Sequence, residues 1–369
     1  MVDAWIDGRP AAVDAAVAEA ANLLASSRLP VVAGLGTDIA GARAAIALAE
    51  RVGGAVDHMH ADALLRDLDV ARETGMMVTT PNEAALRADT LWMVGPGLIA
   101  AWPDLAARLI ARAPDPGLVV DRRIFWLCPG SKSEMPDVGG ARIDTVGRDP
   151  KHLGAVLAAL RARLAGRRCG RTQVADRALD ALSAGLAAAR FGVAVWSAAD
   201  LDALTVEMLC GVVNDLNAAT RFTGLPLAGG DNATGVLQVC GWMTGFPMRT
   251  GFGRGFPEHD PWRFDVRRLV ESGETDCVLW ISAYRPVVPN WSREVPTIAL
   301  AASGSEFGRL PHVRIAVGRP GIDHDGVERI AATGALGCVE ARNPTGAMSV
   351  AQVVGRIAAA LADGRTWPC

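Results

Sequence analysis

The run Asp57-His58-Met59-His60-Ala61-Asp62 gathers the residue types best able to do chemistry. Two histidines at i and i+2 on a strand end share one face, and neutral imidazoles beside a carboxylate suit a hydrolytic zinc centre. Such a centre needs further ligands, for which His152, His259, His312 and Asp323-His324-Asp325 are of the right type. The competing reading makes His58 and His60 surface or hydrogen-bonded imidazoles holding no ion, because six histidines can produce an HxH spacing by chance. A second group, Asp231-Asn232-Ala233-Thr234-Gly235, reads either as polar groups converging on a ligand or as an Asx-turn followed by a helix cap.

Spacing excludes other chemistries. Gly34, Gly36 and Gly41 bring glycines to a helix start, where a phosphate can approach backbone N–H groups. Their spacing is not GxGxxG, and Ala42 and Arg43 stand where a P-loop needs Lys and Ser/Thr. A tight βα turn is the simpler account, with Asp57 as a candidate ribose acceptor at the end of the next strand. Ser303 and Ser305 lack the strand–elbow context of a nucleophilic serine, and no cysteine has a histidine beside it in sequence. Residues 242–256 interleave aromatics with Arg249 and Arg254, which invites stacking on bases. With a net charge of -3, a protein interface is the better reading, since Trp, Phe, Met and Arg are its usual anchors.

These residues need elements to position them. At roughly 150 residues per domain, 369 residues make two domains, with three the upper bound. Half of the residues are hydrophobic and 21% are charged, so large cores can form and disorder is excluded. Of the 37 basic side chains only Lys132 and Lys151 are lysines, which leaves many guanidinium forks for carboxylates. The seven cysteines are scattered and never spaced as CxxC, so reduced thiols in a cytoplasmic protein are expected, without a zinc or iron–sulfur cassette. Residues 1–10 carry two acids and no apolar core, and no window reaches the ~18 uninterrupted apolar residues of a membrane span.

Helical spacing over 14–26, an apolar strand at 30–33 and a helix from Thr37 or Asp38 to 52 open a βαβ pattern. Strands at 90–94 and 124–128 alternate with helices at 103–112 and 151–164. After the polar stretch 165–171 the pattern restarts with a helix at 174–190, a strand at 191–196 and a helix at 201–219. Residues 221–262 read as one long functional or interface loop. Strands at 277–282, 297–301 and 313–317, a hairpin ending at 339–341 and a helix at 350–362 complete the chain. The expectation is an α/β protein of two doubly wound, Rossmann-like domains. The first spans 1–165 and is completed by 313–369, and the second spans 166–312.

Several stretches, in collinear order, resemble the B subunit of molybdenum- or tungsten-dependent formylmethanofuran dehydrogenase, a molybdopterin oxidoreductase. They are 29–54 (LPVVAGLGTDIAGARAAIALAERVGG), Gly147-Arg148-Asp149, 214–222 (NDLNAATRF), 232–247 (NATGVLQVCGWMTGFP), Arg254-Gly255-Phe256-Pro257 and 321–326 (GIDHDG). The resemblance covers nearly the whole chain from about residue 14. It implies two αβ domains related to those that hold a bis-pterin guanine dinucleotide cofactor. The departures are chemical. The family's N-terminal cysteines for a [4Fe–4S] cluster have no counterpart before Cys128. The family's metal-ligating cysteine falls near Ala63, within 57–70 (DHMHADALLRDLDV). Two aspartates that face the nucleotides correspond to Cys128 and Ala301, and an Asp-Pro near the pterin corresponds to Arg285-Pro286.

Redox chemistry at a pterin-bound metal needs its thiolate and an electron relay. The resemblance therefore implies the redox-inactive branch of this family, the B subunits of the formyltransferase/hydrolase complex of one-carbon metabolism. Such a complex moves a formyl group from formyl-tetrahydromethanopterin to a methanofuran-type carrier and hydrolyses it to formate. By resemblance the hydrolase and transferase sites belong to the A and D subunits, the C subunit is a further structural member, and the present chain is a non-catalytic scaffold. No pterin, molybdenum, tungsten, iron–sulfur cluster, nucleic acid or membrane partner is expected. The carrier's tail contains glutamates, for which Arg249, Arg254 and Arg285 are the candidate contacts. Two alternatives remain open: an active molybdo- or tungstopterin dehydrogenase component, and a metal-dependent hydrolase built on His58 and His60.

Overall fold

The computed structural model describes residues 3–111, 114, 115, 117, 121–130 and 141–361. The chain divides into two compact units, one of Met1–Ala61, Asp231–Arg329 and Leu336–Cys369, the other of Asp62–Gly230 and Ile330–Ala335. The first unit opens with β1 (Ala4–Ile6), β2 (Arg9–Pro10), α1 (Val13–Ser26), β3 (Pro30–Gly36), α2 (Ile39–Val52) and β4 (Ala55–Val56). Of the two expected caps of α2, Asp38 is the one used: its carboxylate accepts the Gly41 N–H at 2.9 Å. The helix ends at Gly53 in a left-handed C-cap.

The second unit follows with α3 (Ala61–Thr74), α4 (Pro81–Arg87), β5 (Thr90–Val94), α5 (Leu98–Ala101), β6 (Arg123–Leu127) and β7 (Ile143–Val146). It continues with α6 (Leu153–Leu164), α7 (Asp176–Ala187), β8 (Phe191–Trp196), α8 (Ala203–Leu216) and β9 (Arg221–Pro226). Its sheet runs β7-β6-β5-β8-β9 with every pair parallel. All of β5 and β8 is buried, as a strand covered on both faces must be. Side chains alternate with the pleat: Trp92, Val94, Ala194 and Trp196 enter one apolar cluster, and Leu91, Met93, Val193 and Val195 enter the other.

The chain then returns to the first unit through α9 (Ala233–Thr244), β10 (Thr250–Gly251), β11 (Glu258–His259), α10 (Val266–Ser272), β12 (Cys277–Ser282), β13 (Thr297–Ala302) and β14 (Val313–Val317). A hairpin of β15 (Gly326–Ile330) and β16 (Ala335–Val339) precedes α11 (Val350–Ala360). The nine-stranded sheet has the order β11-β10-β4-β3-β12-β13-β14-β1-β2. Its centre from β4 to β14 is parallel and its edges are antiparallel. Asp276 locks β3 to β12: its carboxylate accepts the backbone N–H groups of Arg28 and Leu29 at 3.0 and 3.1 Å, and the Ser27 hydroxyl. Among the described residues no helix is long and apolar enough to cross a membrane.

Mixed α/β architecture with parallel sheets is thus observed, but the chain is partitioned differently from the expected domains of 1–165 with 313–369 and 166–312. Strands β5, β6 and β7 share a sheet with β8 and β9, so the polar stretch 165–171 connects two helices of one unit and marks no boundary. The connections between units fall instead next to Ala61, Asp231, Arg329 and Leu336. The expected loop at 221–262 contains β9, α9, β10 and β11. The helix expected at 103–112 is reduced to a π turn at Ala106–Ile110, after the short α5.

Gly192 shows how tightly the second core is filled. It lies opposite Phe222 in the β8–β9 register, and a Cβ at Gly192 would meet the Phe222 ring at 2.1 Å. The same ring packs edge-on against Trp92, with centroids 6.4 Å apart. Gly192→Val is expected to destabilise the protein by about 2 kcal/mol or more, read as a lower urea midpoint at unchanged slope. An unchanged midpoint would show that Phe222 does not occupy this place.

Candidate functional site

Open parallel sheets offer a crevice beyond the carboxyl ends of their strands. In the first unit that end is built by β3, β4, β12 and the turn before α9. Strand β12 breaks register between Trp280 and Ser282, and the Ala283 N–H then donates to the Gly36 carbonyl at 2.7 Å. Ser282 Oγ donates to the Arg285 carbonyl at 2.6 Å, which fixes the turn that carries the Arg285 side chain. Asp231 and Asn232 both adopt left-handed backbone angles, φ 58°, immediately before α9. Asn232 holds this strained turn from both ends of its amide: Nδ2 donates to the Thr37 carbonyl at 2.9 Å and Oδ1 accepts the Arg329 N–H at 3.0 Å. Gly36 makes room, since a Cβ there would lie 3.4 Å from the Asp231 Cβ and 3.2 Å from Met59.

The Asp231 side chain is 1% exposed, and its oxygens are fully engaged. Oδ1 accepts Arg285 Nε at 3.0 Å, while Oδ2 accepts His60 Nε2 at 3.1 Å and Arg285 Nη2. Burial pushes the carboxyl up, but hydrogen bonds from His60 and Arg285 outweigh it and bring its pKa down to about 2. His58 supports the arrangement from below. Its Nδ1 accepts the His60 N–H at 3.0 Å, so the ring proton sits on Nε2, 3.4 Å from the Asp231 carbonyl. Burial, then the neighbouring His60, lowers the His58 pKa to about 3, so the ring is neutral.

A second buried carboxylate lies one residue upstream of His58. Asp57 accepts the His58 N–H at 2.8 Å and the Val266 N–H at 3.0 Å, and Arg249 Nε stands 3.4 Å from its Oδ1. Arg249 also meets Asp265 at 2.5 Å and donates to the Pro261 carbonyl at 2.9 Å. Asp265 in turn caps α10 by accepting the Arg268 N–H at 3.0 Å. Desolvation outweighs the Arg249 charge, and the Asp57 pKa rises to about 7.

The residues singled out in the sequence are therefore placed as follows. His58 and His60 lie in the turn between β4 and α3, with rings 5.6 Å apart, and both are engaged with Asp231. The other candidate ligands have separate partners. His259 meets the Arg249 carbonyl at 3.1 Å, His312 Nδ1 lies 3.4 Å from the Thr297 N–H, and His324 contacts the carbonyls of Asp325 and Gly318. His152 faces Asp149 at 3.9 Å. Among the described residues no group of three His, Cys, Asp or Glu side chains is arranged to hold a metal ion. Asp57 faces inward with both oxygens occupied, not outward toward a ribose. Of the arginine candidates, Arg285 is clasped to Asp231 yet half exposed, and Arg249 is 11% exposed between two carboxylates. Arg254 is 65% exposed, paired with Glu258 at 3.0 Å and lying over the Phe256 ring. The pairing of Asp231 with Arg285 is the feature that sequence reading missed. Its only local trace is the Asp-Asn pair before a helix, a residue type that tolerates left-handed angles.

Fold and site together describe an α/β chain whose strand ends carry mutually paired charged side chains. No protein-family model matches the chain. It is 36% identical over 344 residues, 92% of each chain, to the B subunit of the formyltransferase/hydrolase complex Fhc of Methylorubrum extorquens. It is 27% identical over 292 residues to the B subunit of the tungsten-containing formylmethanofuran dehydrogenase 2 of Methanocaldococcus jannaschii, covering 73% of this chain and 64% of that one. Among solved structures it matches a chain of the crystal structure of the formyltransferase/hydrolase complex (FhcABCD) from Methylorubrum extorquens in complex with methylofuran. That match has a TM-score of 0.85 and 36% identity, over 97% of this chain and 98% of that one. The chain belongs to the family of formyltransferase/hydrolase complex B subunits, with a more distant likeness to formylmethanofuran dehydrogenase B subunits.

Asp57 and His58 make opposite contributions to pH dependence. The raised Asp57 pKa means that the folded state binds the extra proton between about pH 4 and 7, so its contribution to stability falls as pH rises. The lowered His58 pKa means that the unfolded state binds it between about pH 3 and 6.5, so its contribution rises with pH. Across the shared window the slopes cancel, each near 1.4 kcal/mol per pH unit. His58→Gln is expected to uncover a stability that declines from about pH 4 to 7, and Asp57→Asn one that climbs from about pH 3 to 6.5. Urea denaturation at pH steps measures both, and parallel profiles for the two variants would refute the assignment.

Proposed function

We propose that the chain is a non-catalytic scaffold of a cytoplasmic formyltransferase/hydrolase complex, in which it docks the hydrolase (A), transferase (D) and C subunits. The complex would transfer formyl from formyl-tetrahydromethanopterin to a methanofuran-type carrier and hydrolyse it to formate, on subunits other than this one. The observation that carries this reading is the closed Asp231–Arg285–His60 network at the strand ends, in a chain 36% identical over 92% of its length to an Fhc B subunit. A network of neutralised, hydrogen-bonded groups offers neither a free nucleophile nor an open ligand position. The six described cysteines are free thiols, which fits a reducing compartment.

The residues present do not suit the tungsten or molybdenum pterin of the dehydrogenase branch. By resemblance, the dehydrogenase branch holds that metal with a cysteine whose place in this chain falls near Ala63. In the first unit burial pushes the Cys240 and Cys277 thiols up to about 11 and 12, and Cys240 Sγ donates to the Pro247 carbonyl. The two units correspond, in this reading, to the doubly wound domains of molybdopterin oxidoreductases without their iron–sulfur domain. Carrier contact, where this chain contributes it, falls to the exposed guanidinium faces of Arg254 and Arg285. Arg249 acts indirectly by holding their neighbourhood through Asp57 and Asp265.

Native purification of the tagged chain with its complex, followed by metal analysis, tests the proposal. The expected outcome is co-purification of the A, C and D subunits, molybdenum and tungsten at background, and no fluorescent pterin on oxidation. Arg254→Glu is expected to lower carrier retention severalfold without dissociating the complex. One equivalent of molybdenum or tungsten with pterin would overturn the non-catalytic reading.

A further inference from the structure

Guanidinium groups drawn out of water are commonly answered in this chain. Arg161 holds Asp215, Arg249 lies between Asp57 and Asp265, and Arg285 clasps Asp231. Arg122 donates to the carbonyls of Ala88 and Leu109 at 2.9 and 3.0 Å. Arg314, on β14, is not answered. Its Nε is sealed from solvent without an acceptor, and no carboxylate pairs with it among the described residues. Burial lowers its pKa with no neighbouring charge to offset the effect. A sealed N–H without an acceptor is costly, and more so on a cation.

The surroundings of Arg314 follow from the sheet. In β14 the pleat buries Val313, Ile315 and Val317 on one face and leaves Arg314 and Ala316 half-exposed on the other. Strands β12 and β13 are buried along their whole length, so cover on this second face gives out at β14. In register, Arg314 stands between Ala299 of β13 and Trp5 of β1. Ala299 brings only a methyl group. Trp5 brings a ring: the guanidinium lies over it, 4.6 Å from the centroid, and over the Phe307 ring at 5.7 Å. Phe307 comes from the loop between β13 and β14, which is braced at both ends. Ser305 Oγ donates to the Ala302 carbonyl at 2.9 Å, and the Asp7 N–H donates to the His312 carbonyl at 2.8 Å. Ring faces attract the charge but do not replace an oxygen at the N–H edge.

The acids nearest in sequence to these residues, Asp3, Asp7 and Glu306, are exposed, and none forms an ion pair with Arg314. The two Nη groups of Arg314 are not sealed as Nε is, so an acceptor can reach them from outside. We propose that Arg314, beside Trp5 and Phe307, is a binding site for an external carboxylate, brought by a free organic acid or by an acidic side chain of a neighbouring subunit. Charge and shape select this class. One guanidinium neutralises one negative charge, and its planar pair of Nη donors matches the two oxygens of a carboxylate. A phosphate dianion would leave a charge unmatched. The site shares no residue with the Asp231 network and holds whether or not the scaffold reading does.

The test uses the full chain, alone and in the complex that co-purifies with it. Phenylglyoxal condenses with accessible guanidinium groups, and peptide mass spectrometry reads Arg314 beside the exposed Arg309. Sodium propionate, with ionic strength held constant by sodium chloride, is expected to slow modification of Arg314 about fivefold and to leave Arg309 unchanged. Propionate is also expected to raise the wild-type melting midpoint but not that of Arg314→Met. Arg314→Met removes an unanswered cation and is expected to melt at or above the wild-type midpoint, where the loss of a merely structural arginine would lower it. In the complex, protection that still requires propionate identifies a free acid. Protection without propionate, together with about tenfold weaker assembly of Arg314→Met, identifies an acidic side chain of a neighbouring subunit. Equal protection by inorganic phosphate would overturn the carboxylate assignment. A lowered midpoint for Arg314→Met, with no protection of the wild type by propionate or by the complex, would make Arg314 structural and overturn the site.

Discussion

A carboxylate buried at the end of a parallel sheet must be met by a cation or hold its proton, and the first unit does each once. Asp231 is met: Arg285 and His60 supply donors to both oxygens, and the acid stays ionised. Asp57 is met less well, because Arg249 is shared with Asp265 and desolvation dominates. The difference follows from geometry. A guanidinium that grips one carboxylate with two nitrogens compensates burial better than one stretched between two carboxylates. Around these two pairs the turn before α9, the bulge in β12 and the start of α10 all take their positions.

The same constraint bears on function. A strand-end crevice serves catalysis when it keeps polar groups available for a substrate. Here the available groups answer one another, and the histidines that looked most reactive in the sequence act as a hydrogen-bond ladder beneath an ion pair. Outward-facing groups include the half-exposed Arg285 guanidinium and, on the segment that Arg249 fastens to Asp57, the exposed side chains of Phe256, Trp262 and Arg254.

Much of the fold was legible in the sequence where periodicity was strong. The fully buried strands at Thr90–Val94, Phe191–Trp196 and Cys277–Ser282, and the alternating strand Val313–Val317, match the apolar runs residue for residue. The helix cap at Asp38 was one of two readings of the same turn. Partition into units was not legible, because a long insertion leaves no mark in hydrophobic period: α6 and α7 look the same whether a boundary lies between them or not. Short strands such as Thr250–Gly251 escape detection for the same reason, having too few residues to show alternation. At the site, residue types were visible but not their pairing. Arg285 and Asp231 are separated by 54 positions, and the contact between them depends on a bulge and a left-handed turn that composition does not encode.

The order of strands in the larger sheet has a consequence for synthesis. Strand β3 is flanked by β4 and β12, and the carboxylate that joins β3 to β12 lies 248 positions after Arg28. At ribosomal speeds the N-terminal strands wait on the order of tens of seconds for that neighbour. Meanwhile the five-stranded sheet, contained within the uninterrupted run 62–230, emerges whole and needs no later strand. The middle of the polypeptide can therefore gain structure first, leaving its two flanks to find each other afterwards. During that interval the apolar edges of β3 lie open, the moment when a newborn chain of this design most needs protection from its neighbours.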